Sequence, residues 1–128
     1  DIVFSNVGGL TDVNINSKIE DIFKDFKIGN ITFPIFFRKS NDNTLSNYLT
    51  YYSYSTQPNE FADDIPISAI TYLTIDVYTT NNFLNVISEI KKMLIKNDFT
   101  WTGDGTPDYE EDTKLYHYQI NFIKESGD

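Results

Sequence analysis

Apolar positions along this chain change period several times. Ile15, Ile19, Ile22, Phe23 and Phe26 step by four, three, one and three, the spacing of one helical face, and predict a helix over about 16–27. Asn14 or Asn16 can cap it, Lys24 and Lys27 suit its C-terminal dipole, and Gly29-Asn30 supplies a stop. Residues 1–14 mix Gly8-Gly9 with small and polar side chains and read as a flexible N-terminal arm. In Ile31–Phe37 (ITFPIFF) the β-branched and aromatic residues favour a strand, but Pro34 cannot donate to a central ladder, so an edge or irregular strand is expected. After the turn-rich Ser40–Asn47, strand alternation in Tyr48–Ser55 places Tyr48, Thr50, Tyr52 and Tyr54 on one face and Leu49 and Tyr51 on the other.

Pro58, Asp63-Asp64 and Pro66 mark 56–66 as a loop. Ala69–Tyr78 is the cleanest strand: Leu73, Ile75 and Val77 share one face, and Tyr72, Thr74, Asp76 and Tyr78 the other. Thr79–Asn82 offers caps for a second helix, whose Phe83, Ile87, Ile90 and Leu94 keep the helical period to about Lys96. A short strand over Phe99–Trp101, an acidic loop, and an alternating strand over Thr113–Lys124 complete the chain, the last with Tyr116, Tyr118, Ile120 and Phe122 on one face. This order predicts one α+β domain spanning 1–128, with a mixed or antiparallel sheet of about five strands and two helices packed on one face.

Composition narrows the function classes. The chain has 128 residues, 40% hydrophobic and 23% charged, as an ordinary globular domain has. No run approaches the ~20 apolar residues of a bilayer span, and DIVFSNVGGL lacks the basic and apolar regions of a secretory signal, so a soluble protein without a membrane partner is expected. Nineteen acidic against ten basic residues give a net charge of −9, which disfavours tight binding to a phosphate backbone. The chain has no Cys, which removes disulfides, thiolate metal sites and cysteine nucleophiles. Aromatic residues reach 16%, and tyrosines on both faces of Tyr48–Ser55 exceed what one small core can bury, so some are expected to anchor an interface.

Catalytic signals are weak. His117 is the lone histidine, set in a strand on the face opposite Tyr116 and Tyr118, and reads as a surface or interface residue. There is no Gly-x-Ser-x-Gly elbow and no Gly-rich phosphate motif. The densest constellation is the acidic loop with Asp104, Asp108, Glu110, Glu111 and Asp112, but it lacks the ligand spacing of a calcium loop and reads as a solvated charged segment. No catalytic residue, metal site or cofactor is predicted. A small hydrolase using this loop and His117 is the weakest alternative.

The stretch Asp63–Glu125 nevertheless resembles the small tail-terminator or tail-completion proteins of long-tailed bacteriophages. The resemblance rests on Asp63-Ile65-Pro66, on the strand-then-helix unit, and on Asp108-Tyr109-Glu110-Glu111-Asp112-Thr113 followed by Tyr116-His117. Proteins of this kind often have Gly where Lys114 stands and a basic residue where Tyr118 stands. The resemblance implies a structural virion protein without catalysis, assembled in the bacterial host cytoplasm. It would form a ring with itself, a homo-hexamer, at the head-proximal end of the tail of a phage or a phage-tail-like particle. Such a ring stops tube polymerisation and joins the tail tube protein to the neck or connector protein.

Ring closure needs two different patches per subunit. Candidate interface residues are Tyr48, Tyr52, Tyr54, Asp63, Asp64, Tyr116 and His117. Asp104, Asp108, Glu110, Glu111 and Asp112 are candidates for lining the lumen, where acidic groups would repel DNA in transient passage instead of gripping it. The alternative is a small non-catalytic binding module whose Tyr-rich sheet face takes a peptide or sugar.

Overall fold

The computed structural model describes residues 7–56 and 69–126, with side chains over 15–56 and 69–125. Helix α1 (Val7–Ile22) leads into a small hairpin, β1 (Lys27–Ile28) and β2 (Ile31–Thr32). Then come β3 (Ile35–Phe37), β4 (Asn47–Ser55), β5 (Ala69–Thr79), helix α2 (Phe83–Lys96), β6 (Thr100–Asp104), β7 (Asp108–Glu110) and β8 (Leu115–Ser126). The main sheet has six strands in the order β3-β4-β5-β8-β6, with β7 also pairing β8. Its neighbours are antiparallel except β3 and β4, so this is the expected mixed α+β sheet with one strand more than the sequence suggested.

Register explains the layers. Leu49 faces Val77, Tyr51 faces Ile75, and Ile75 and Leu73 face Ile120 and Phe122, so the apolar alternates of three long strands form one continuous surface. On it lie Val86, Ile87, Ile90 and Leu94 of α2, Ile19 of α1, and Phe23, Phe26, Phe33 and Phe99 from the connections. Asn82 caps α2 by accepting from the Leu84 amide at 2.9 Å. Two polar ties hold α1 to β4: the buried Tyr51 hydroxyl donates to Glu20, and Ser53 Oγ donates to Asn16 Oδ1 at 2.7 Å. Burial and the Glu20 carboxylate both push the Tyr51 hydroxyl well above its ordinary pKa, so it stays a neutral donor.

Three sequence expectations shift. The expected arm is helical from Val7, and residues 1–6 lie outside the described residues. Gly8-Gly9 opposes helix by roughly 1 kcal/mol per residue, but extending a helix already anchored from Ile15 onward adds a backbone hydrogen bond per residue. Helix α1 also stops at Ile22 rather than near Lys27, where Asp25 turns left-handed (φ 60°); Gly29 (φ 60°) instead makes the β1–β2 turn. Pro34 splits the expected 31–37 strand into β2 and β3, and β3 is an edge strand, the Pro34 carbonyl accepting from the Leu49 amide at 2.8 Å. The loop expected at 56–66, beyond Thr56, lies outside the described residues.

Lys114 has φ 60°, the left-handed region a glycine enters freely. Lys114→Gly is therefore expected to raise unfolding stability by about 0.5–1 kcal/mol in denaturant titration.

Candidate functional site

The alternates that point away from the helices form the other face of the sheet. Tyr48 lies opposite Tyr78 and Tyr78 opposite His117; Tyr54 lies opposite Tyr72 and Tyr72 opposite Ile123. Between these rows sit Thr50, Asp76 and Gln119, and Tyr52, Thr74 and Asn121. Both helices pack their apolar residues on the opposite side, which leaves this face free of any described helix. Tyr54 is 52% exposed and Tyr52 38%.

The rings are organised as two stacks. Tyr48 and Tyr78 lie 4.6 Å apart at 12°, and Tyr78 and His117 4.3 Å apart at 16°. At the other end of the strands Tyr54 stacks on Tyr72 at 4.9 Å and 14°. Arg38, at the β3 edge, places its guanidinium 4.4 Å from the Tyr52 ring centre, and Phe36 meets Tyr48 edge-on at 6.3 Å. Cross-strand aromatic pairs are each worth about 0.5–1.5 kcal/mol beyond burial, so these rings are held in place before any partner arrives. Burial, the neighbouring Asp76, Tyr48 and Glu110 push the Tyr78 hydroxyl up to about 12 against an opposing hydrogen bond with Thr50. Burial and Glu110 likewise raise Tyr48, so both present neutral hydroxyls.

His117 closes one corner. Its Nε2 lies 2.7 Å from Asp76 Oδ1 and its Nδ1 3.6 Å from Glu110 Oε2. The Asp76 hydrogen bond raises its pKa above the ordinary histidine value; burial opposes, and the charges of Asp76, Glu110 and Asp108 add to the rise. Because the folded pKa is the raised one, the associated stability is fully present below about pH 6.5 and disappears as pH climbs through the folded value. The stability difference between wild type and His117→Gln is therefore expected to be larger at about pH 5.5 than at about pH 8.5, measured by chemical unfolding at both pH values.

The expected acidic loop is two different things. Asp104 ends β6 on the helix side and is fully engaged: Trp101 Nε1 donates to it at 2.7 Å, Tyr118 Oη at 2.8 Å and Lys91 Nζ at 3.2 Å. Burial raises its pKa, but those donors outweigh it and leave the carboxyl below its ordinary range. It fastens β6 and β8 to α2. Asp108 and Glu110 belong to β7 beside His117, while Glu111 and Asp112 stand exposed in the turn before β8.

Of the candidate interface residues, Tyr48, Tyr52, Tyr54 and His117 share the open face. Tyr116 does not: one step along β8, it points to the helix side and meets Phe83 at 5.9 Å and Tyr109 at 5.0 Å. Asp63 and Asp64 lie outside the described residues. Tyr72, Tyr78, Asp76 and Arg38 join the face although sequence reasoning did not select them; alternation within β5 was the available signal, and pairing register supplies the rest.

No family model matches this chain, and no curated protein matches it either.

Proposed function

We propose that this chain is a non-catalytic structural subunit of a phage tail or phage-tail-like particle. In this reading copies close into a ring, of six, at the head-proximal end of the tail tube, end its polymerisation and join it to the neck or connector. The observation that carries the assembly role is the open sheet face. It concentrates Tyr48, Tyr52, Tyr54, Tyr72 and Tyr78, with Arg38 at one edge and the charged groups Asp76, His117, Asp108 and Glu110 gathered at one corner, and so presents the Tyr and Arg side chains that anchor protein interfaces. The tail itself enters through the resemblance of Asp63–Glu125 to tail-terminator proteins.

Two further features support the reading. Carboxylates face both ring nitrogens of His117, which suits a held donor and not a base that takes a proton from a nucleophile. The net charge of −9 carried by every copy would make a ring repel passing DNA instead of gripping it. The test is electron microscopy of the protein mixed with purified tail tubes. A ring at one end only, with growth from that end halted, is the expected result; bare ends and continued growth contradict it.

A sugar- or peptide-binding module is the second reading, favoured by the Asn121 and Gln119 amides among exposed Tyr rings. Saturable binding of an oligosaccharide or peptide that leaves tube ends bare would select it.

A further inference from the structure

We infer that copies of this chain join head to tail, the acidic turn Glu111-Asp112 of one copy seating in a lysine-edged groove between α1 and α2 of the next. The groove has a volume of about 430 Å³ and is bounded by Lys18, Asp21 and Ile22 on one wall and Met93, Lys96 and Asn97 on the other. Lys124, from the far end of β8, reaches the same place: its Nζ donates to the Asn97 carbonyl at 3.4 Å and lies against the Lys18 ammonium. Burial and Lys18 together lower the Lys124 pKa, while Asp98 acts in the opposite sense.

Among the described residues, no carboxylate comes within 4 Å of Lys18, Lys96 or Lys124. Two ammonium groups side by side, in a chain with almost twice as many acids as bases, leave a cationic end that a carboxylate would stabilise. Asp98 moderates that charge and Asp21 lines the groove, and neither pairs with a lysine there.

The complementary groups stand at the opposite pole. Glu111 and Asp112 are exposed and make no ion pair among the described residues. Their turn precedes β8 and Lys124 lies near its end, which separates the two poles by about 30 Å at the rise of an extended strand. They cannot meet within one molecule. Meeting between molecules, they make a heterologous contact, which repeats into a closed ring or an open filament. Ile22 and Met93 supply apolar walls that would shield the ion pairs from solvent.

This inference rests on the self-assembly part of the proposed function and assigns it a surface distinct from the tyrosine face. The test uses three full-length variants: Lys18→Glu with Lys96→Glu, Glu111→Lys with Asp112→Lys, and all four changes together. Self-association is followed by light scattering, and ring formation by microscopy of tail tubes. Each two-site variant is expected to associate at least 10-fold more weakly than wild type. The four-site variant should regain assembly, and so should an equimolar mixture of the two-site variants, in which each turn meets a groove of opposite charge.

Wild-type assemblies should also loosen when salt is raised to about 0.5 M, a reading that needs no variant to fold. Unchanged assembly in both two-site variants, no recovery on mixing, or salt-insensitive assembly would overturn the inference. If rings still cap tubes in those cases, the proposed function stands and only this contact falls; if wild type neither self-associates nor caps tubes, both fall.

Discussion

Phe122→Ala is expected to lower unfolding stability by about 3–5 kcal/mol, the loss that follows when a fully buried aromatic ring is cut back to a methyl group. Phe122 is 1% exposed, sits opposite Leu73 on β5 and Trp101 on β6, and belongs to the core cluster that holds α2 on the sheet. Truncation removes most of an aromatic side chain from a place where strands on both sides prevent collapse into the void. Domains of this size have roughly 5–15 kcal/mol in all, so the loss is a large share of the total. At about 3–5 °C per kcal/mol for a chain of this length, the thermal midpoint should fall by about 10–20 °C in a circular dichroism melt. A fall of only a few degrees would mean that the sheet and helix layer are not packed through Phe122.

The second large effect concerns binding and leaves the fold alone. Tyr54→Ala combined with Tyr72→Ala removes one stacked pair from the open face, at a stability cost of no more than about 1.5 kcal/mol beyond lost burial because Tyr54 is already half exposed. If those rings anchor the contact that the assembly role requires, each is worth about 2 kcal/mol or more at the interface. Capping of tail tubes should then need at least ~100-fold more protein, since each 1.4 kcal/mol is tenfold. Tyr116→Ala is the matched control: Tyr116 is exposed, but it lies on the helix side against Phe83 and Tyr109. Capping by that variant should match wild type in a titration of protein against tube ends.

Much of the architecture is legible in local periodicity. Alternation in Ala69–Tyr78 and in Tyr116–Phe122 identifies the faces of β5 and β8 correctly, because a strand buried on one side must repeat every two residues. The period of Phe83–Lys96 and its Asn82 cap define α2 for the equivalent reason. Strand order is a different kind of information. That β8 lies between β5 and β6, and that β3 runs parallel beside β4, depends on contacts distant in sequence, to which local propensity is blind.

The candidate site divides along the same line. Tyr48, Tyr52, Tyr54 and His117 are visible as members of alternating strands. Their grouping with Tyr72, Asp76 and Tyr78 needs the register of two strand pairs, since residues far apart in the chain become neighbours only through pairing. The acidic loop reads as uniform in the sequence because composition does not distinguish a carboxylate with three donors, Asp104, from the exposed Glu111 and Asp112. The lysine groove is invisible for a similar reason: Lys18, Lys96 and Lys124 look scattered along the chain until α1, α2 and the end of β8 converge.

Whether the tyrosine face is a contact surface decides the assembly role, and tyrosine-directed chemical labelling tests it most directly. The protein is labelled free and after capping of purified tail tubes, and modification is read residue by residue by mass spectrometry. Tyr52, Tyr54 and Tyr72 are expected to react in the free protein and to be protected in the assembly, while Tyr109 and Tyr116 do not share that protection. Equal labelling of Tyr52, Tyr54 and Tyr72 in both states would contradict a role for this face in the contact.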